Sequence, residues 1–120
     1  MTATDRATEL ARAAAAAAED KLATSIMAID VSDHLALTDV FLVVAGDNEP
    51  QVSAIVEAIE DGLRDLDSKP VRREGKRDGR WVLLDFGDIV VHVQHEEERE
   101  YYALERLWSD CPTIDVSSAE

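Results

Sequence analysis

The run Arg80-Trp81-Val82-Leu83-Leu84-Asp85-Phe86-Gly87-Asp88-Ile89-Val90-Val91-His92-Val93-Gln94 decides the fold of this chain. Its two β-rich stretches, Arg80 to Phe86 and Ile89 to Gln94, are separated only by Gly87-Asp88. A two-residue loop that opens with glycine signals a hairpin, because the tight turns that match strand twist need a positive φ there. That turn sets Phe86 opposite Ile89, Leu84 opposite Val91 and Val82 opposite Val93. Opposed residues share a face and faces alternate along a strand. One face therefore carries Val82, Leu84, Phe86, Ile89, Val91 and Val93, wholly apolar, and is the core face. The other carries Trp81, Leu83, Asp85, Val90, His92 and Gln94. An indole, a carboxylate, an imidazole and an amide on one side admit two readings. Either they form a partly exposed patch with an aromatic anchor, the composition of a protein-binding hot spot, or a helix covers them and they satisfy one another.

Upstream, Val52, Ile55, Val56, Ile59, Leu63 and Leu66 recur at spacings of three and four, which predicts a helix over 51–66 with one apolar stripe. Asn48 can cap it, Gln51 completes a capping-box pattern and Pro50 suits the first turn. Asp67-Ser68-Lys69-Pro70 ends it. The expected partner of its stripe is the Val82, Leu84, Val91 and Val93 face. Before it lie two β-branched runs, Ser25 to Val31 and Asp39 to Ala45, with Ser32-Asp33-His34 as a turn and Leu35 to Leu37 as a possible strand extension. An alanine-rich helix is expected from about Asp5 to Ala23, with Leu10 and Leu22 as its large apolar side chains. Val71 to Arg73 fits a short strand. A last helix is expected over 96–108, with Tyr101, Leu104, Leu107 and Trp108 at core spacing, and Ser109 to Glu120 reads as a loosely attached polar tail. The fold class is α/β: one mixed sheet with helices packed against it, in a single domain over residues 1–108 followed by the tail 109–120.

The 120 residues carry 12 Lys+Arg against 26 Asp+Glu, a net charge of −14. A field of that sign repels phosphate backbones and anionic membranes and attracts basic partners, although solubility alone also accounts for it. Neither direct nucleic-acid binding nor membrane attachment is expected. The lone Cys111 cannot form an internal disulfide, and the start of the chain has no basic n-region, so a reducing, cytoplasmic setting is the default.

Catalytic and metal chemistry find little support. Ala45-Gly46-Asp47 lacks the glycine spacing and lysine of a phosphate loop. His92 and His95 are three apart, which in a strand places them on opposite faces, and a zinc site would have to draw on His34 and Cys111. Cys111 beside Pro112 is a poor setting for a nucleophile. Asp88 is explained as a turn residue, Asp85 has no carboxylate partner on its face, and Glu96-Glu97-Glu98 complements a helix dipole. The expectation is no enzyme activity, no cofactor and no metal site.

The spacing of several fragments together resembles the Iojap-like ribosomal silencing factor family. They are Thr38-Asp39-Val40-Phe41, Gly46 before a helix, Glu74-Gly75, Trp81 to Asp85, Gly87 to Val93, and Arg99-Glu100-Tyr101-Tyr102-Ala103-Leu104-Glu105-Arg106-Leu107-Trp108. The similarity spans about residues 5–108. It implies a domain of nucleotidyltransferase-like shape without the catalytic carboxylates, and a homodimer when free. It also implies binding to the large ribosomal subunit through its fourteenth protein, which would block joining of the small subunit and repress translation under nutrient limitation. The site expected on this basis comprises Trp81 as anchor, Asp85 and Asp88 pairing with basic side chains, His92, Tyr102, and Asp39 of the first motif. The loop Asp47-Asn48-Glu49-Pro50 departs from the family, which has a small hydroxyl residue and an arginine there, so those roles do not transfer. Competing expectations are a degenerate nucleotidyltransferase-like enzyme and an acidic adaptor for another basic protein.

Overall fold

The hairpin forms in the register its turn dictates. Strands β4 (Trp81–Asp85) and β5 (Ile89–His95) are antiparallel, with Val82 opposite Val93 and Leu84 opposite Val91. The Phe86 amide donates to the Ile89 carbonyl at 2.9 Å, and Gly87 takes φ +88°. The computed structural model describes residues 3–35, 37–75 and 79–116, the side chains of residues 104 and 105 excepted.

Around the hairpin, β1 (Ser25–Asp30), β2 (Val40–Gly46), β3 (Arg72–Glu74) and β6 (Thr113–Ile114) complete a mixed sheet of order β3-β4-β5-β2-β1-β6. Among the described residues only β2 and β5 run parallel, pairing Phe41 with Val90 and Val43 with His92. The second strand starts at Val40, so Leu35 and Leu37 do not extend it; residue 36 lies outside the described residues.

Two helices cover one face. Helix α1 (Asp5–Asp20) is capped by Thr4, whose hydroxyl accepts from the Ala7 amide at 3.1 Å. Its buried stripe of Ala7, Leu10, Ala11, Ala14, Ala15 and Ala18 is nearly all methyl, so it lies close against α2 (Glu49–Arg64). The helix stops short of Leu22, which sits at φ +63° and is exposed. In α2, Asn48 Oδ1 accepts from the Gln51 amide at 2.8 Å. The Gln51 side chain accepts from Asp47 N and donates to the carbonyls of Lys21 and Leu22, which ties the end of α1 to the start of α2. Val52, Ile55, Val56, Ile59 and Leu63 meet Val82, Leu84, Phe86, Ile89, Val91 and Val93 in one buried cluster, as the periodicity predicts.

The C-terminal region departs from the sequence reading. The single helix expected over 96–108 is two, α3 (Glu96–Tyr102) and α4 (Leu104–Leu107), separated by Ala103 in the left-handed region at φ +46°. The break shifts the helical phase, so Tyr101 and Leu107 are exposed and not part of a core. The Leu104 side chain lies outside the described residues. Nor is the segment 109–116 loose. β6 pairs with β1, Ala28 opposite Ile114, and Cys111 and Val116 are buried. The short Thr113-Ile114 pair closes the sheet edge that would otherwise be bare.

Candidate functional site

Strand alternation puts Met27, Ile29, Phe41, Val43, Trp81, Leu83, Asp85, Val90, His92 and Gln94 on the face away from α1 and α2. The two readings of this face each describe one half of it. Beneath β1 and β2 it is covered: Ile29, Val31, Val43 and Cys111 are buried, with Met27, Leu35, Phe41 and Trp108 packed on them. Along β4 and β5 it is partly open, and Trp81, Leu83, Asp85 and Val90 are half-buried.

His92 lies at the seam and is only 7% exposed, so for this residue the covered reading holds and the partly exposed one does not. The Trp81 indole N–H donates to His92 Nδ1 at 3.2 Å. Burial pushes the His92 pKa down to about 4, so the ring is neutral near pH 7. With Nδ1 accepting, Nε2 carries the proton, and among the described residues it has no partner. Gln94 is fully buried and its amide likewise has no partner among them.

Aromatic rings run across the face from this histidine. Phe41 meets His92 edge-on at 5.2 Å and Trp108 at 5.4 Å. Tyr102 lies tilted against Trp81 at 4.8 Å, and Tyr101 stands edge-on to Tyr102 at 5.0 Å. Trp81, His92 and Tyr102 are therefore brought together. Between them and the turn lies an apolar groove of about 480 Å³ whose lining includes Leu37, Phe41, Leu83, Val90 and His92, with Arg72 beside them. Phe41 is the contributor the sequence reading missed. Alternation alone could have placed it here, had the parallel pairing of β2 with β5 been evident.

The three acidic residues form a separate group at the hairpin end, about 13 Å along the strand from the indole at ~3.3 Å per residue. Asp85 Oδ1 accepts from the Gly87 amide at 2.9 Å, so its first role is to hold the turn. Asp88 is exposed, and its carbonyl accepts from the Asp39 amide and the Thr38 hydroxyl at 3.0 and 3.1 Å. Asp39 Oδ2 accepts from the Thr4 amide at 2.9 Å, joining this corner to the start of α1. Glu97 and Glu98, read from sequence as helix-start charges, also hold Arg80 at 3.0 and 2.7 Å. Gly75 is locked by close approach: at φ +82°, a Cβ there would sit 1.9 Å from the Trp81 carbonyl.

Fold and face together define a class: a small single-sheet α/β domain with one sealed face and one half-open, aromatic-lined face. The family model described as "Ribosomal silencing factor during starvation" matches residues 4–120. The chain is 44% identical over 103 residues to ribosomal silencing factor RsfS of Bacillus subtilis, covering 86% of this chain and 87% of that one. It is 30% identical over 105 residues to the chloroplastic protein Iojap of Zea mays, covering 85% of this chain and 44% of that one. A crystal structure of a Chromobacterium violaceum protein superposes with a TM-score of 0.81 at 34% identity, covering 93% of this chain and 94% of the other. The chain belongs to the ribosomal silencing factor family, to which the Iojap proteins are related. The family's role is regulation of the ribosome, not enzyme catalysis. Among the described residues no helix is long and apolar enough to cross a membrane.

Proposed function

We propose that this protein silences translation by docking its half-open face on the large ribosomal subunit, through the basic fourteenth protein of the face that meets the small subunit. Its bulk then keeps the small subunit from joining, so translation falls when nutrients are scarce. The observation that carries the reading is the Trp81–Tyr102 pair beside an apolar groove, on a chain of net charge −14. A half-buried indole beside a groove is what a hot spot requires. The acidic field steers the chain toward basic protein and away from bare RNA. Asp85, Asp88 and Asp39 form the acidic rim of this surface, and His92 supports the anchor from beneath. The free protein is a homodimer acting in the cytoplasm, without direct contact to nucleic acid or membrane.

Sedimentation with purified large subunits, small subunits and joined ribosomes tests the proposal. Recovery is expected with free large subunits only. Equal recovery with joined ribosomes would contradict steric exclusion.

A further inference from the structure

The pairing of β6 with β1 brings together two side chains that the sequence holds 77 residues apart. His34 stands on the turn after β1 and Cys111 on the segment before β6. With Asp110 they present three donor atoms, nitrogen, oxygen and sulfur, all within 4.8 Å of one another. In a tetrahedral zinc site with bonds of about 2.0–2.3 Å, ligand atoms stand roughly 3.5 Å apart. His34 and Asp110 are exposed, so closing that gap takes rotation of two surface side chains and leaves the buried thiol in place.

We propose that His34, Asp110 and Cys111 form a zinc site that clips the turn after β1 to the C-terminal segment, with the fourth position open to water.

Both ligand-bearing turns are already held. Asp30 Oδ1 accepts from the Ser32 amide and hydroxyl at 3.0 and 2.6 Å, and the His34 amide donates to the Val31 carbonyl at 2.9 Å. The Cys111 amide donates to the Trp108 carbonyl at 2.9 Å, and the Asp30 amide to the Pro112 carbonyl at 2.8 Å, which joins the two segments beside the site. The His34 ring meets the Trp108 edge at 6.0 Å. Donors of mixed nitrogen, oxygen and sulfur type suit Zn²⁺, whereas Mg²⁺ and Ca²⁺ take oxygen alone. Burial, and then the nearby carboxylates of Asp110, Asp30 and Asp33, hold the thiol protonated in the metal-free protein. Binding therefore releases a proton to solvent as the sulfur–metal bond forms. Because His34 also lines one end of the apolar groove, the ion would stiffen both the covered half of that face and this end of the groove.

The test uses the full chain titrated with ZnCl₂, CoCl₂ and MgCl₂. Cobalt should give the visible bands of a tetrahedral ion and a sulfur-to-metal charge-transfer band, and one equivalent of zinc should raise the melting temperature where magnesium does not. His34→Ala and Cys111→Ser should each weaken zinc binding by at least about tenfold, since even outer-sphere partners of a metal are commonly worth that much. His34→Ala removes an exposed ring and keeps the test sound should the buried Cys111→Ser variant fold poorly. His95→Gln should bind like the parent. Absence of the charge-transfer band, or zinc affinity unchanged in His34→Ala, would show only ions held diffusely by an acidic surface and would overturn the assignment.

Discussion

The two faces of one hairpin have opposite fates. Val82, Leu84, Val91 and Val93 are sealed under α2, while Trp81, Leu83 and Val90, one step along the same strands, stay half-buried. What separates them is the supply of cover. Two sixteen-residue helices lie on the first face. Among the described residues the second receives short α3, Leu35 of the turn after β1, and Trp108 and Cys111. A sheet face left half covered keeps apolar area available for a partner, whereas a face closed by helices spends its apolar area on stability.

The sharpest way to break this contrast is to shorten neighbouring side chains on the two sides. Leu84→Ala, in the sealed cluster, should cost about 3 kcal/mol, the transfer loss plus an unfilled cavity. Leu83→Ala should cost less than about 1 kcal/mol, because solvent already reaches it. Urea unfolding of both variants measures the difference; equal costs would mean the faces are not distinct.

The buried imidazole at the seam supplies the next largest effect. The His92 pKa is lowered from 6.5 to about 4 by burial, so the unfolded chain binds the extra proton between those values. The associated stability is fully present above about pH 6.5 and is lost as pH falls toward 4, up to roughly 3 kcal/mol. The unfolding midpoint measured across pH 4–7 should therefore fall more steeply in the parent than in His92→Gln. Parallel slopes would place the imidazole in water.

A smaller effect sharpens the claim that the helical face is built from local signals. Asn48→Ala removes the acceptor for the Gln51 amide and should cost about 1 kcal/mol by thermal or urea unfolding. Gln51→Ala should cost at least as much, because it also unties α1 from α2.

The helical face was readable from sequence because both of its determinants are local. A two-residue turn fixes the register of β4 and β5, and a stripe at helical spacing marks α2. The other face depends on events that spacing does not encode. Ala103 takes a left-handed conformation that alanine rarely adopts, so a continuous helical count across 96–108 misplaced Tyr101 and Leu107. Thr113-Ile114 is too short to declare itself a strand, yet its pairing buries Cys111 and sets it beside His34. Of the site residues, Trp81 sits on the half-open face where strand alternation put it, and Tyr102, named only through the family resemblance, lies against it. His92 was read correctly for side but not for depth, because part of its cover comes from Phe41, on a strand distant in sequence.

The central claim is that the half-open face is the docking surface and Trp81 its anchor. Its most direct test is the affinity of purified large subunits for the parent and for Trp81→Ala, with circular dichroism as the folding control. Losing a central aromatic anchor commonly costs about 2 kcal/mol or more, some thirtyfold in affinity. The variant should therefore bind at least about thirtyfold more weakly while remaining folded. A folded Trp81→Ala variant that binds like the parent would contradict the account and place the docking surface elsewhere on the molecule.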